Sequence, residues 1–545
     1  MASQSNILTP AEQLEEYRRL IGDFAPEPEN ALPALQALSD EYGFVPDMAV
    51  ETLSDHLHVP VAKLYALVTF YDTLFAETGD ARTTRHVKET PPFDAVAPLR
   101  AAHPLERRLL LADIEAIDPE RIESYRAHGG YEGLQRALEL GPAATIAEVT
   151  ASKLRGKGGA GYPTGRKWAG AAAAPGPRYV ICNGNEGDPA TCVDRFLLER
   201  NPHAVVEGLA IAAVATGAER GWLYIRDEYA LARARVQHAL DEAYEAGILG
   251  PSVMGSGHAL ELSVARAGGT FVCGESTALM NAVAGLVGEP RAHYTHTVEH
   301  GIYDCPTVLN NVETLAAVPL VLREGAKPFA AVGTAGSGGT KLIDLTGAAA
   351  RPGIYEVPFG TTLKELVCDI GGGVADDGEL KALHPGGPCE GFVPPELLDT
   401  PIDFDAFREQ GIAMGSGGLE VLDGRCCIPA TALSYVEFLC EQSCGKCTPC
   451  REGLRQMRAL LAGICAGTGS TRDLDTLELL GETMSDASLC ALGRSAASPV
   501  LSSLRSFRAE YLEYIEQRTC PAGACTFAEE GSAKDEGAPE KGGAA

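Results

Sequence analysis

Positive charge is scarce in this chain: 45 lysines and arginines stand against 74 aspartates and glutamates, a net charge of −29. So acidic a balance has nothing with which to neutralise phosphates, which excludes nucleic-acid binding and leaves a solvated acidic surface as the ordinary reading. Long apolar runs are missing too. The most apolar stretches, such as 209–215, fall far short of the roughly 20 residues a spanning helix needs, so no direct membrane insertion is expected. Met1-Ala2-Ser3-Gln4 does not open a basic segment followed by an apolar one, so the expectation is a cytoplasmic protein without a signal peptide. Cysteine is absent before Cys182, so the first third of the chain has no thiolate to offer a metal. In a reducing compartment the sixteen cysteines that follow serve as metal ligands or small buried apolar side chains rather than as disulfides.

Four of those cysteines carry the strongest signal. Cys444, Cys447 and Cys450 form a C-x2-C-x2-C run, and Cys490 stands downstream in Leu489-Cys490-Ala491-Leu492-Gly493. Three closely spaced thiolates and a distant fourth make up the ligand set of a [4Fe–4S] cluster, and hence point to electron transfer. A structural zinc site is the alternative on spacing alone, but zinc more often takes two C-x2-C pairs than a tight triple.

Apolar spacing through Leu14, Tyr17, Leu20 and Ile21, and through Leu32, Leu35 and Leu38, predicts helices over about 11–75. A turn at 55–60 opens the last of them. Residues 77–103 are polar and contain Pro91-Pro92, a linker or surface strap. Asp118-Pro119-Glu120 reads as a helix start. Next, β-branched runs at 178–182 and 221–225 alternate with alanine-rich helical runs at 204–216 and 230–246, which implies an α/β domain with a partly parallel sheet. Residues 341–424 change to short strands, many glycines and one helix at 362–370, as in a β-grasp module. From 430 the chain is helical again, and beyond Cys525 it is poor in apolar residues, a disordered tail. The expected division is 1–76 (N-terminal helical docking segment), 77–108 (linker), 109–335 (central α/β domain), 336–425 (β-grasp-like domain), 426–519 (helical iron–sulfur bundle) and 520–545 (tail).

Between Gly156 and Gly165 five glycines fall within ten residues. Such a loop lets backbone N–H groups approach a phosphate, and a helix start behind it adds a favourable dipole. It is neither a Walker A motif nor the spaced dinucleotide fingerprint. Three companions follow: Asn183-Gly184-Asn185-Glu186-Gly187-Asp188 after a strand, Phe271-Val272-Cys273-Gly274-Glu275-Ser276 repeating a strand–glycine–carboxylate–helix pattern, and the paired Asn310-Asn311 with Thr314. In this order, and with the cysteine run, these segments resemble the NADH-oxidising flavoprotein subunit of respiratory complex I. That module also occurs as the diaphorase subunit of NAD-linked hydrogenases and formate dehydrogenases. Ala37-Leu38-Ser39-Asp40-Glu41-Tyr42-Gly43-Phe44-Val45-Pro46 and Val68-Thr69-Phe70-Tyr71 are similar to the helical start of that family's thioredoxin-like partner subunit. Its four [2Fe–2S] cysteines are absent, so the segment is a docking remnant.

The resemblance implies a diaphorase-type oxidoreductase subunit that passes electrons between NADH or NADPH, FMN and the cluster, because a flavin accepts two electrons together and releases them singly. It places FMN against Gly156, Lys157, Gly158, Gly159, Lys167, Asn183, Asn185, Glu186, Gly274, Glu275, Asn310, Asn311 and Thr314, with a lysine reaching the phosphate or the ring. It assigns Tyr162, Asp188 and Ser276 to the cofactor region, Glu186 to catalysis, and Cys444, Cys447, Cys450 and Cys490 to the cluster. The implied partners are a thioredoxin-like [2Fe–2S] subunit and a hydrogenase, formate dehydrogenase or complex I-like module.

The dinucleotide half departs from the family pattern. Asn185-Glu186-Gly187-Asp188 stands for Asp-Glu-Gly-Glu, Glu275-Ser276 for two carboxylates, and Gly170 and His296 for adenine-gripping aromatics. NADH with a looser adenine grip, NADPH admitted by loss of a carboxylate at Ser276, and a non-catalytic electron relay all remain open. His293, His296 and His300 read as a polar loop near the cofactor mouth. Cys426, Cys427, Cys182 and Cys192 read as core fillers, and Cys520 and Cys525 would need a partner such as Cys440 or another subunit to bind metal.

Overall fold

The computed structural model describes residues 9–71, 73–75, 99, 101–292 and 294–525. Most of the expected linker, the tail beyond Cys525 and His293 lie outside them. At the N-terminus, Thr9 and Glu12 form a reciprocal capping box that starts α1 (Pro10–Ile21). Gly43, at φ +77, stops α2 (Ala31–Tyr42), and α3 (Asp47–Leu57) and α4 (Val61–Phe70) follow. The group does not hang free. Glu29 pairs with Arg220 at 2.8 Å, Asp40 with Arg266, and the Tyr71 hydroxyl donates to the Leu286 carbonyl at 3.0 Å.

Three helices, α5 (Ile122–Ala127), α6 (Glu132–Leu140) and α7 (Pro142–Ala151), precede the glycine loop and α8 (Thr164–Ala173). The helix expected at Asp118 begins only at Ile122. Asp118 instead closes a turn, its carboxylate accepting the Glu120 N–H at 3.0 Å, while its own N–H donates to the Ser124 hydroxyl. The β-branched runs form β1 (Tyr179–Gly184), β2 (Arg220–Ile225), β3 (Glu261–Arg266) and β4 (Thr307–Asn311), all parallel in the order β3-β2-β1-β4. Chain progression reverses beside β1, so β1 and β4 frame the switch point where open α/β sheets bind ligands. One face, through Val180, Cys182, Leu223 and Ile225, shares a core with α9 (Val193–Arg200), α10 (Pro202–Thr216), α11 (Ala230–Glu245) and α13 (Val312–Glu324). The other, through Ile181, Trp222 and Tyr224, shares a core with the N-terminal helices, α12 (Ser276–Val283) and the C-terminal bundle. Residues 271–274, read from sequence as a strand, form a 3-10 turn before α12, and β3 ends earlier, at Arg266.

After α14 (Ala326–Ala330) the second sheet orders its strands β6-β5-β8-β7: β5 (Thr340–Gly347), β6 (Gly353–Pro358), β7 (Leu380–Pro385) and β8 (Gly418–Asp423). β5 and β8 run parallel between antiparallel outer strands, with a helical turn (Glu365–Ile370) and α15 (Phe404–Glu409) beside them, in β-grasp fashion. The bundle comprises α16 (Ile428–Gln442), α17 (Thr448–Cys465), α18 (Thr471–Ala487), α19 (Ala491–Ser495) and α20 (Ser498–Leu512), packed through Val436, Leu454, Leu461, Leu477 and Leu504. The fold is therefore α/β with a β-grasp-like module and a helical cysteine-bearing bundle. Among the described residues no helix is long and apolar enough to cross a membrane.

Candidate functional site

The register that sets Asn183 beside Asn311 brings two amides to the carboxyl ends of β1 and β4. The glycine loop crosses above them. Its backbone is anchored where the Lys157 N–H donates to the Thr314 hydroxyl at 2.8 Å and the Gly156 N–H to the Tyr162 carbonyl at 2.8 Å. A Cβ on Gly158 would sit 2.9 Å from that of Asn311, and Gly159 adopts φ +112, so neither position suits a side chain. Below the loop opens a cavity of about 260 Å³, lined by Gly158, Gly159, Asn183, Glu186, Asp188, Gly274, Glu275 and Asn311. A larger groove of about 620 Å³ continues from it past Glu186 and Asp188.

Other sequence candidates stand apart from this lining. The Lys157 ammonium turns into the protein, donating to the Thr340 carbonyl at 2.7 Å and pairing with Glu313 at 3.3 Å, so it does not reach into the cavity. Lys167 donates to the Leu309 carbonyl at 2.8 Å, and desolvation lowers its pKa to about 8. Asn310 accepts from the Trp168 indole at 2.9 Å, and Asn185 donates to the Thr270 carbonyl at 3.3 Å. Tyr162 is 44% exposed, with the Arg166 guanidinium 5.9 Å from its ring, and half-buried Ser276 begins α12. His296 caps a turn with its carbonyl, and His300 pairs with Asp304 at 2.9 Å. Gly170 faces Val298.

The cavity is rich in carboxyl groups. Glu186, at φ +27, receives the N–H groups of Asp194 and Arg195 at 2.7 and 2.9 Å and so caps α9. Burial, and then the charge of Asp194, raise the pKa of Glu186, while burial chiefly raises that of Asp194 to about 7. Burial lifts Asp188 to about 6, and burial plus repulsion from Asp188 lifts Glu390 to about 8. Glu275 caps α12, accepting the N–H groups of Thr277 and Ala278 at 2.9 and 3.0 Å.

Eight residues of the lining come from segments that the sequence reading did not assign to the site. Gly386, Cys389, Glu390, Gly415 and Ser416 come from the β-grasp module, and Ala491, Leu492 and Ser495 from the bundle. The glycine clusters at 386–387 and 415–418 were the available signal: a Cβ on Gly415 would lie 2.0 Å from the Gly386 Cα, a contact only glycine permits. Asp188 Oδ2, buried with no protein partner, belongs to the cavity wall, and Asn185 Oδ1 and Asn310 Nδ2 are likewise unpartnered behind the lining; such polar atoms suit a hydrogen-bonding cofactor. Together with the glycine cradle they fit FMN.

Next to it, Cys444, Cys447, Cys450 and Cys490 line one small closed cavity with Ser443, Lys446, Val272 and Leu492. The Lys446 and Gly493 N–H groups bond to the Cys444 and Cys490 sulfurs, and the Ser443 hydroxyl lies 3.3 Å from Cys450. Four converging thiols with N–H and O–H donors suit an iron–sulfur cluster. Leu492 lines both cavities, so one side chain separates them.

The remaining thiols correct the sequence reading. Cys182 is buried in the core, as expected, and Cys192 packs against that core while its thiol also contacts the Asp344 carboxylate at 3.0 Å. Cys520 and Cys525 meet Cys427, not Cys440. Cys427 was reachable because it caps α16, a placement that its spacing in sequence does not reveal.

Residues 149–320 match the Nuo51 FMN-binding domain, 430–514 the NADH-ubiquinone oxidoreductase-F iron-sulfur binding region, and 17–89 the thioredoxin-like [2Fe-2S] ferredoxin family. An NADH-quinone oxidoreductase F protein of Rhizobium meliloti is 42% identical over 76% of this chain and 99% of its own length. NADP-reducing hydrogenase subunit HndC of Solidesulfovibrio fructosivorans is 42% identical over 75% of this chain and 84% of its own. A crystal structure of NAD+-reducing [NiFe]-hydrogenase in the H2-reduced state superposes with a TM-score of 0.73 at 27% identity, covering 90% of this chain and 93% of that one.

Proposed function

Because the chain belongs to the NADH-quinone oxidoreductase F family, and is thus an NADH-dependent electron-transfer subunit carrying FMN and a [4Fe–4S] cluster, we propose that the 260 Å³ cavity holds the flavin. The four cysteines beside it would hold the cluster. The observation that carries this reading is Leu492, common to both cavities: a two-electron site and a one-electron site stand side by side. FMN, when bound, supplies acceptance of a hydride and release of single electrons.

The chain's own residues bind, orient and hold protons. Gly158 and Gly159 give backbone access for the phosphate, and Asn183, Asn311 and Glu275 present polar groups to the ring. Asn310, Asn185 and Thr314 position these from behind, and Lys157 anchors the loop rather than touching the phosphate. Glu186 lines the cavity with a carboxyl that burial and the charge of Asp194 hold toward its protonated form, and so offers a proton-holding group beside the flavin. Asp188, which lines both the cavity and the larger groove, marks the side on which the dinucleotide would rest, with Tyr162 and Ser276 assigned to its adenosine end, while Lys167 braces β4 through the Leu309 carbonyl. The domain limits follow these assignments: flavin domain 109–335, β-grasp-like domain 336–425 and cluster domain 426–519.

The subunit works within a multisubunit module. Its N-terminal region matches the thioredoxin-like [2Fe-2S] family yet has no cysteine, which supports a separate [2Fe–2S] subunit as partner, with a hydrogenase, formate dehydrogenase or complex I-like module beyond it. NADPH is a second donor to consider, because Ser276 stands half-buried at the start of α12 where a carboxylate would repel a 2′-phosphate. Anaerobic titration of the flavin- and iron-loaded protein with NADH and then NADPH tests both readings. Bleaching of the flavin band by NADH is expected. Reduction by neither nucleotide would overturn them in favour of an electron relay.

A further inference from the structure

Three cysteines far apart in sequence, Cys427, Cys520 and Cys525, bring their sulfurs within 4.8 Å of one another, outside the flavin and cluster cavities. Each is held in place. Cys427 is 4% exposed and sits at the N-cap of α16, where its sulfur accepts the Ala430 N–H at 3.4 Å and lies 2.7 Å from the buried Tyr514 hydroxyl. Cys520 and Cys525 close a turn, Cys-Pro-Ala-Gly-Ala-Cys, in which Gly523 takes φ +65 and donates its N–H to the Cys520 carbonyl at 2.9 Å. The turn directs the Ala522, Ala524 and Cys525 N–H groups at the Cys520 sulfur. Cys465, the last residue of α17, is the candidate fourth thiol: burial, and then the charges of Cys525 and Cys520, raise its pKa to about 12.

We propose that Cys427, Cys465, Cys520 and Cys525 form a closed structural zinc site that fastens the C-terminal arm to the iron–sulfur bundle. Zinc favours four thiolates in a tetrahedron at about 2.3 Å, which sets the sulfurs roughly 3.8 Å apart. Thiolates so tightly grouped share one ion, whereas those of a cubane bind separate irons. Binding releases the thiol protons to solvent and changes no oxidation state.

The location gives the site a purpose. α16 runs from Cys427 to the cluster cysteine Cys444, and α17 returns from Cys447 and Cys450 to Cys465. One helix hairpin thus carries cluster ligands at its tip and zinc ligands at its base, about 22 Å apart at 1.5 Å per residue. Zinc has no redox chemistry, so the ion would brace the hairpin and not relay electrons.

The full chain, purified anaerobically with flavin and iron loaded, is analysed for metals beside the Cys520→Ser/Cys525→Ser double variant and Cys368→Ser, an exposed thiol far along the chain. About one zinc per chain is expected in the parent and in Cys368→Ser, and none in the double variant, with iron and flavin unchanged in all three. Equal zinc in the double variant would overturn the proposal. So would a Cys520–Cys525 disulfide in a zinc-free parent, or iron beyond the cluster's that disappears with these cysteines. Should the double variant fail to fold, zinc-edge X-ray absorption of the parent decides: a sulfur-only shell near about 2.3 Å supports the site, and an oxygen or nitrogen shell refutes it.

Discussion

The Lys157 ammonium lies 3.3 Å from the Glu313 carboxylate, and neither side chain has any exposed surface. The same carboxylate pairs with Lys341 from β5 and accepts the Leu342 N–H at 2.8 Å. One acid therefore joins the glycine loop, α13 and the β-grasp sheet, so the two domains that wall the flavin cavity share a buried charge cluster. Glu313→Gln would remove the one carboxylate with which both buried ammonium groups pair directly. A loss of about 3–5 kcal/mol is expected in urea unfolding, together with weaker flavin retention as the loop loosens. A loss below about 1 kcal/mol would show that water reaches the lysines.

The raised carboxyls make stability depend on pH. Glu390 moves from 4.5 to about 8 because it is buried and faces Asp188. The folded state therefore binds this proton more tightly than the unfolded one. Its contribution is fully favourable below about pH 4.5, declines as pH rises, and levels off above about pH 8. In flavin-free protein, Glu390→Gln should raise the melting temperature at pH 8.5 and leave it nearly unchanged at pH 5, flattening a slope of up to about 1.4 kcal/mol per pH unit. Parallel curves for parent and variant would mean that Glu390 is ionised at neutral pH.

Local signals made much of this arrangement readable from sequence. The β-branched runs located β1 and β2 to within two residues, and the spacing of Cys444, Cys447, Cys450 and Cys490 grouped them as the structure groups them. Contacts set by tertiary packing were not readable. Lys157 looks like a phosphate ligand because it lies in a glycine loop, yet Glu313 and the Thr340 carbonyl capture it from distant segments. The wall from Gly386, Glu390 and Gly415 belongs to another domain, and Cys427 meets Cys520 only because α16 and the C-terminal turn fold together. No periodicity encodes such encounters.

The N-terminal helices should prove integral to the fold. A Cβ on Gly268 would lie 1.9 Å from the Tyr71 ring, which is 1% exposed. Gly268→Ala should cost about 1–3 kcal/mol by overpacking, and Tyr71→Ala about 3–5 kcal/mol by leaving a cavity. In the double variant the clash has no partner, so the combined loss should be smaller than the sum of the two. Strict additivity in chemical denaturation would place Tyr71 elsewhere.

Nucleotide choice can be tested at Ser276. Ser276→Glu would set a second carboxylate beside Glu275 at the start of α12. Repulsion of a 2′-phosphate by about 1–3 kcal/mol would lower kcat/KM for NADPH roughly 5- to 150-fold relative to NADH. An unchanged ratio would remove Ser276 from the adenosine end of the site.

Separation of the two cavities by Leu492 makes the order of events measurable. Cys447→Ala removes one thiol from the cluster cavity and leaves Asn183, Glu275 and Asn311 untouched on the flavin side. Flavin bleaching by NADH under anaerobic stopped-flow should therefore stay within about twofold of the parent. Turnover with a one-electron acceptor should fall at least about tenfold, equivalent to about 1.4 kcal/mol on the slow step. If bleaching and turnover fell together, Cys447 would be supporting the flavin cavity itself through α17 and the packing around Leu492. If neither fell, electrons would leave the flavin cavity without passing the four cysteines, and the closeness of the two sites would have no part in the reaction.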